Sequence, residues 1–181
     1  MAKKKTKIIS QEETQATTQI LGNVDLEIRK GKNTIKKLKI HNEVTSSLLW
    51  GLIMGLSGTM VDDCLPKFIS VGIGTTSDSA FSLTALKSEL GDISKQRPLL
   101  TRNFRGPTIK AETYSVVATY QGIIQYQFIG SSTIRELGLF GTVTGNSLLA
   151  RVQLSEDDAI TLDAGESLVV NWTFALKDTN R

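Results

Sequence analysis

Apolar and polar residues alternate along much of this chain, and a period of two is the pattern of β-strands that bury one face. Every second residue from Val24 to Ile28 is apolar, and a similar pattern returns between Ile35 and Ile40. The letters KGKN separate the two runs, which is typical of the turn of a β-hairpin. We therefore predict a hairpin over residues 24–42, with Lys and Arg on its outward side.

Most of the remaining apolar runs also predict strands. KFISVGIG (67–74) has the composition of a buried strand, and SLTALKSELG predicts a short helix or a surface turn. After Lys110, AETYSVVATYQG and IIQYQFIG predict one strand pair around Gly122, and IRELGLFG and SLLARVQL predict another around TVTGN. ESLVVNWTFAL predicts a long final strand. About eight strands joined by short turns indicate a mainly β fold, an antiparallel β-sandwich.

One segment, HNEVTSSLLWGLIMGLSG, changes to a helical period. Asn42 or Thr45 can cap its start, and Gly58 can end it. The apolar residues at helical spacing are Leu48, Leu49, Leu52, Ile53 and Leu56. Because apolar residues lie nearly all round this helix, we predict that it is buried against a sheet. Both tryptophans, Trp50 and Trp172, lie in patterns that predict core positions.

Residues 1–23 are rich in Lys, Thr and Gln, so we predict a flexible basic arm over 1–23 and one β-domain over 24–181. Residues 1–40 hold ten Lys or Arg and four Asp or Glu, whereas residues 41–181 hold eleven and fourteen. This separation of charge fits an arm that faces nucleic acid, neighbouring subunits in register, or a solubilising tail, which is the simplest of the three. The basic candidates for an assembly interface are Lys3, Lys4, Lys5, Lys7, Arg29, Lys30 and Lys32.

The chain offers little for catalysis. His41 is its one histidine, and no Gly-x-Ser-x-Gly turn accompanies it, so a Ser-His-Asp or Cys-His site finds no support. Cys64 is its one cysteine, which excludes an internal disulfide and a cysteine-rich zinc site. Gly72 and Gly74 imitate the start of a dinucleotide-binding loop, but the third glycine is missing, and a turn with positive φ is the simpler interpretation. We predict no enzymatic activity and no cofactor.

Other binding chemistry is also weakly represented. The segment SEDDAITLD holds oxygen ligands that suit calcium, but their spacing is not that of an EF-hand, and a solvated turn is the simpler interpretation; they are Glu156, Asp157, Asp158 and Asp163. No apolar run reaches the ~18 residues of a membrane span, so no membrane partner is expected. Aromatic residues are not interleaved with the basic ones, so contact between the arm and DNA is a less favoured alternative to protein contact.

Four segments, taken in order, carry a resemblance to a known family. They are IHNEVTSSLLWGLIMGL, PKFISVGIGTTSDSAFSLTALKSELG, STIRELGLFG, and NSLLARVQL with the later ESLVVNWTFAL. Together they resemble small virion proteins of tailed bacteriophages, including the N-terminal domain of tail-collar fibre proteins. That family pairs an N-x-V/I-T helix start, a vGxG strand with a downstream L-x-x-E, and I-R-E-L/I-G-L-F followed by L-x-A. The matching positions are Asn42, Thr45, Gly72, Gly74, Glu89, Arg135, Glu136, Gly138, Leu139, Phe140 and Ala150.

The resemblance implies a β-rich attachment domain of the virion without enzymatic activity, whose partners are other copies of itself and neighbouring collar, portal, tail or capsid proteins. The expected role is a homo-oligomeric structural subunit at the collar, the head–tail junction or the tail-fibre attachment region. Collar fibre proteins usually continue into a long fibre, whereas this chain stops at Arg181, which favours a stand-alone piece. The alternatives are a capsid decoration protein (cement or head fibre) and, in another class, a carbohydrate-binding β-sandwich module.

The residues of STIRELGLFG also predict architecture without the family. Its core-side residues are expected to be Ile134, Leu137, Leu139 and Phe140. Arg135 and Glu136 are candidates for a buried or interface ion pair, with an exposed pair as the alternative, and they join the assembly candidates. Gly138 suits a bulge or a close backbone contact. The predicted architectural residues are Asn42, Thr45, Gly72, Gly74, Gly138, Leu139, Phe140 and Trp172.

Overall fold

The computed structural model of the protein describes residues 18–59, 61–75, 78–90, 97–100, 108–110 and 115–178. Its strands are β1 (Thr18–Lys30), β2 (Asn33–His41), β3 (Glu43–Val44), β4 (Phe68–Gly72), β5 (Thr108–Lys110), β6 (Ser115–Gln125), β7 (Thr133–Ile134), β8 (Glu136–Phe140), β9 (Leu148–Gln153), β10 (Ile160–Thr161) and β11 (Glu166–Asp178). Its helices are α1 (Ser46–Leu56) and the single turn α2 (Tyr126–Ile129), and 3-10 turns occur at Asp62–Cys64 and Ala80–Ser82. The described chain is mainly β.

The strands form three antiparallel sheets. The larger sheet has the order β2-β1-β11-β6-β5, the smaller sheet has the order β3-β9-β8-β4, and β10 pairs with β7. β1 and β11 pair along their full lengths, from Thr18 opposite Asp178 to Lys30 opposite Glu166. β1 also pairs with β2, and Gly31 supplies the positive φ in their turn, so the predicted hairpin is confirmed.

One hydrophobic core joins the two main sheets. The larger sheet contributes Val24, Leu26 and Trp172, and the smaller sheet contributes Ile69 and Leu139, each at most 2% exposed. Successive residues of a strand point to opposite faces, so alternation along β1 and β11 directs every second side chain into this core. The predicted burial of Trp172 and Leu139 is confirmed.

Gly122 does not form the predicted turn. β6 runs without interruption from Ser115 to Gln125, and Gly122 lies within it opposite Val170. A Cβ at Gly122 would lie 2.7 Å from Cγ2 of Ile69, so the missing side chain lets β4 approach β6 closely. The letters IIQYQFIG complete β6 and end in α2, so the predicted strand pair around Gly122 is wrong.

The helix α1 is not buried, contrary to the prediction from its apolar composition. Leu48 is its one buried residue, and Trp50, which the same pattern placed in the core, is exposed. Composition indicates that a helix gains from burial, but only the arrangement of the sheets decides which sides are covered. Here one side of α1 rests on the protein and the others face solvent.

The predicted boundary of the N-terminal arm lies inside a strand. β1 begins at Thr18, and residues 18–23 continue the ladder with β11, so this part of the predicted arm 1–23 is sheet. The ladder with β11 supplies the backbone hydrogen bonds that composition alone does not reveal. Residues 1–17 lie outside the described residues.

Candidate functional site

The start of α1 is fastened to the smaller sheet. The buried hydroxyl of Thr45 accepts a hydrogen bond from the Leu48 N–H at 3.4 Å and donates one to the Leu148 carbonyl of β9 at 2.8 Å. Thr45, rather than Asn42, is therefore the cap of the helix. The helix ends before Gly58, whose φ is +82°, as predicted.

The side of α1 that faces away from the protein is apolar. Trp50 is 56% exposed, Ile53 60% and Leu56 90%. Trp50 and Ile53 lie two and five positions after Leu48, which puts them on roughly the opposite side of the helix. No charged residue occurs from Thr45 to Val61. A surface helix ordinarily presents a polar outer face, so this surface suits a contact with another molecule. We call Trp50, Ile53 and Leu56 the α1 ridge.

A groove of about 280 Å³ lies between another side of α1 and the inner face of the larger sheet. The inner face continues past the core here, where Ile20, Leu176 and Val116 stand side by side on β1, β11 and β6. The groove is lined by Ile20, Leu48, Gly51, Leu52, Cys64, Leu65, Pro66, Val116, Ala118, Tyr120, Phe174 and Leu176. None of these residues is charged, and the four on its rim, Leu52, Leu65, Val116 and Leu176, are each 37–40% exposed. We call it the α1 groove.

A second depression, on the ridge side of α1, extends the apolar surface. It is lined by Ser46, Ser47, Leu49, Trp50, Ile53, Cys64 and Phe81. Phe81 is 56% exposed, and its 3-10 turn is held by the Ala80 N–H, which donates to the Glu43 carboxylate at 3.1 Å. Burial, with the negative charge of Asp63, raises the pKa of the Cys64 thiol. The thiol therefore stays protonated and weakly nucleophilic at neutral pH.

A buried ion pair fastens the loop after β4 to β8 and β9. The side chains of Glu136 and Arg151 are 0% and 2% exposed, and Nε and Nη2 of Arg151 each lie 3.1 Å from Oε2 of Glu136. Oε1 of Glu136 accepts hydrogen bonds from the Gly74 N–H at 3.2 Å and the Ser88 N–H at 3.0 Å. The Gln153 side chain donates to the Gly74 carbonyl at 2.9 Å. These bonds satisfy polar groups that would otherwise be costly to bury, so the pair holds the framework.

Gly72 and Gly74 provide the space for Glu136. A Cβ at Gly72 or Gly74 would lie 2.6 or 2.5 Å from Oε1 of Glu136, so a side chain at either position would displace the carboxylate. The predicted reason for these glycines, a turn with positive φ, is wrong, because the positive-φ glycines among the described residues are Gly31, Gly58, Gly130, Gly145 and Gly165. The space needed for Glu136 therefore explains both glycines without a dinucleotide-binding loop.

Arg135 and Glu136 do not pair with each other. Neighbouring residues of an extended chain point to opposite sides, so Glu136 meets Arg151 inside the fold while Arg135 lies 3.9 Å from the exposed Glu156. Glu136 is fully buried and cannot contact a neighbouring subunit, which corrects its predicted place in an assembly interface. Arg135 remains one-third exposed.

A second polar cluster joins the segment after β4 to the loop between β8 and β9. Arg97 forms two hydrogen bonds with the Glu89 carboxylate, at 2.7 and 2.9 Å, and its guanidinium lies 3.6 Å from the centre of the Phe140 ring. Burial raises the pKa of Glu89, but the hydrogen bonds and the positive charge of Arg97 outweigh burial, and the pKa lies below its ordinary value. Next to this cluster, a Cβ at Gly138 would lie 2.6 Å from Leu148, so Gly138 permits close packing, as predicted.

The described basic residues predicted for assembly, Arg29, Lys30 and Lys32, lie far from α1. Arg29 and Lys37 both pair with Glu27, and hydrogen bonds from Thr34 and Arg29 lower the pKa of Glu27 from 4.5 to about 2. Lys30 and Lys32 are exposed at the hairpin tip, ten positions or more along the chain from Ile20 in the α1 groove, or roughly 33 Å of strand. Lys3, Lys4, Lys5 and Lys7 lie outside the described residues.

Asn42 has an architectural place at the end of β2. Its N–H donates to the Gly22 carbonyl at 3.2 Å, and a Cβ at Gly22 would lie 1.5 Å from Oδ1 of Asn42. The amide side chain therefore occupies the space above Gly22. This contact joins β1 to the segment that leads into α1.

The described residues contain no group of three or more His, Cys, Asp or Glu side chains that could hold a metal ion. Glu156, Asp157 and Asp163 are exposed, and Asp158 bonds the Ser155 hydroxyl at 2.6 Å within a turn. His41 is exposed at the end of β2. Neither α1 nor any other helix in the described ranges has the length and apolar character of a membrane span.

Arg151, the partner of Glu136, was not predicted from the sequence, although a single charge inside the apolar run SLLARVQL was a usable signal. The α1 groove gave no signal in the sequence, because five separate parts of the chain form its walls. Comparisons of the chain with protein-family models, with curated proteins and with solved structures find no match.

Proposed function

We propose that this protein is a non-enzymatic structural subunit of a bacteriophage particle, which assembles with other copies of itself at the collar, the head–tail junction or the tail-fibre attachment region. The observation that carries the proposal is the uncharged α1 ridge beside the apolar α1 groove. The four segments that resemble phage virion proteins, and their order along the chain, support a place in a phage particle. The apolar surface supports assembly with other subunits.

Leaving this apolar surface in water has a cost in free energy. Burying a Leu or Ile side chain contributes about 1.5–3 kcal/mol. Each ridge residue is more than half exposed, so covering it would contribute roughly 1 kcal/mol or more. Because Thr45 already fixes the start of α1, little ordering is needed when a partner binds. A rigid apolar helix therefore suits a permanent subunit contact.

In this proposal the two main sheets face each other as an antiparallel β-sandwich. Support comes from the shared core, in which Val24, Leu26 and Trp172 of one sheet belong to the same cluster as Ile69 and Leu139 of the other. Such a sandwich leaves α1 and the far end of the larger sheet uncovered, and these are the parts that form the α1 groove.

A capsid decoration protein is the second candidate in the same class, because it would use the same apolar surface. Trimers fit the three-fold sites of a capsid, whereas rings or six-fold sets fit the tail axis. A carbohydrate-binding module has less support. The depression beside the exposed Trp50 and Phe81 is lined by apolar and hydroxyl side chains, without the carboxylates or amides that hold several sugar hydroxyls.

Gold-labelled electron microscopy tests the proposal directly. Antibody against this protein would be applied to purified particles from the producing culture, with a non-immune antibody as control. Label at the neck or tail is the expected result, and label spread over the head would favour the decoration protein. Particles that stay unlabelled, both intact and after disruption that exposes internal antigen, would reject a virion role.

A further inference from the structure

We infer that the basic hairpin of one copy docks on the acidic segment of a second copy. The basic hairpin, residues 28–42, holds six Lys or Arg and no Asp or Glu. The acidic segment, residues 155–166, holds five Asp or Glu, and no Lys or Arg occurs from residue 152 to residue 176. This inference rests on the proposed assembly of identical subunits and names a contact that joins them.

Several charges of both segments are exposed and unpaired within one copy. Lys30, Lys32 and Lys39 are exposed and form no ion pair with a described residue, and the same holds for Asp157 and Asp163. No ion pair joins the hairpin to the acidic segment of the same copy, and both segments lie within the described ranges. Like charges crowded in each segment repel one another, so an oppositely charged partner stabilises both.

The two segments lie at the same end of the larger sheet. Lys30 at the end of β1 is opposite Glu166 at the start of β11. The hairpin forms the edge of the larger sheet, whereas the acidic segment connects β9 of the smaller sheet to β11. This end of the molecule therefore has a basic side and an acidic side. A rotation can bring the basic side of each copy against the acidic side of the next, twice in a two-fold pair or repeatedly around a ring.

A second copy fits this end better than a nucleic acid or an unrelated acidic protein does. A phosphate backbone laid on the hairpin tip would also approach carboxylates, because Glu166 is opposite Lys30, and like charges repel. An unrelated acidic protein would neutralise the hairpin and leave the acidic segment without a partner. A second copy supplies both complementary charges in one contact.

Two exposed lysines at opposite ends of the larger sheet give the first test. Lys32 lies at the hairpin tip, and Lys177 lies on β11 opposite Gln19, roughly 36 Å of strand from Glu166. Analytical ultracentrifugation of the full chain at about 0.15 M salt would measure the dissociation constant of the assembly. Lys32→Glu is expected to raise it roughly 10-fold, because an attraction becomes a repulsion. Lys177→Glu changes the net charge equally and should have an effect of no more than about twofold. Equal changes in the two variants would overturn the inference.

An exchange of charges gives the second test. The variant Lys30→Glu/Lys32→Glu has an acidic hairpin tip, and the variant Asp157→Lys/Asp163→Lys has a basic segment in place of the acidic one. Each variant alone brings like charges together and should assemble at least roughly 10-fold more weakly than the wild-type chain. In an equimolar mixture, each hairpin meets a segment of opposite charge on the other variant. The dissociation constant of the mixture should therefore return to within about threefold of the wild-type value. The Debye length of about 8 Å at this salt concentration suppresses attraction between remote charges.

The outcomes separate this inference from the proposed function. Copies that assemble, but whose two charge variants do not recover assembly when mixed, overturn the contact, and the gold label still tests the virion role. A chain that stays monomeric also overturns the inference. If a short DNA duplex binds the wild-type chain, and Lys30→Glu/Lys32→Glu abolishes that binding without weakening assembly, a nucleic acid occupies the hairpin in place of a second copy.

Discussion

Replacing Glu136 with alanine would remove the carboxylate that accepts five hydrogen bonds inside the protein. Two come from Arg151 at 3.1 Å, and three come from the N–H groups of Gly74, Lys87 and Ser88 at 3.0–3.4 Å. The charge of Arg151, only 2% exposed, would then stay inside the fold without the carboxylate that balances it.

The expected loss of stability is large. Removing one partner of a buried ion pair costs about 3–5 kcal/mol. Water that enters the vacated space can bond the three N–H groups, so we take about 4 kcal/mol as the whole effect. Glu136→Gln keeps the shape and one acceptor but loses the charge, and should cost about 2 kcal/mol. The matched control is Glu156→Ala, whose carboxylate lies 3.9 Å from Arg135 and is 87% exposed, with an expected change below about 0.5 kcal/mol.

Urea denaturation, followed by far-ultraviolet circular dichroism, measures these changes. With a slope of about 2 kcal/mol per molar urea, a loss of 4 kcal/mol lowers the midpoint by about 2 M. A fixed protein concentration keeps any contribution from assembly comparable. If Glu136→Ala lowered the midpoint no more than Glu156→Ala does, the argument that this pair holds the framework would be refuted.

Three further substitutions test single features. The folded pKa of Glu89 lies below its unfolded value of about 4.3, so its bond to Arg97 stabilises the fold above that pH and is lost as pH falls through the folded value. The Glu89→Gln variant should therefore lose less free energy of unfolding than the wild-type protein between about pH 6 and pH 3, measured by urea denaturation at each pH. An equal loss in the two proteins would contradict this. Gly74→Ala should cost about 1–3 kcal/mol, because its Cβ would lie 2.5 Å from Glu136; an unchanged urea midpoint would disprove it. Gly55→Ala should stabilise the protein by about 0.5–1 kcal/mol, since its Cβ meets nothing within 4 Å; a lower Tm would count against it.

The strands that could be predicted from sequence are those in which the local alternation of apolar and polar residues decides which side chains point into the core. Val24, Leu26 and Ile28 alternate with charged residues, and a strand with that pattern has one low-energy orientation in a sheet. The Gly31 turn similarly follows from the need for positive φ between paired strands. In both cases the deciding interactions lie within a few residues along the chain.

The features that could not be predicted depend on segments distant in sequence. Gly122 looks like a turn residue in the sequence, but the close approach of Ile69 from the other sheet is the reason for a glycine at this position. Glu136 has a neighbouring arginine at Arg135, but the register of β8 and β9 brings Arg151 to it instead. The groove beside α1 requires the relative placement of β1, β6 and β11. Local patterns carry no information about these distances.

The pairing of β1 with β11 has a consequence for how the chain folds. Thr18 pairs with Asp178, and Lys30 with Glu166, so this ladder joins residues more than about 130 positions apart. During synthesis β1 can pair with β2 at once, but its other edge has no partner until β11 leaves the ribosome. Contacts this distant form slowly, and an open strand edge invites pairing with other chains. The lysines at positions 36, 37 and 39 lie on β2, the permanent edge strand of the larger sheet, and act as gatekeepers there, so the β11 side of β1 is the edge left open while the nascent sheet waits for its last strand.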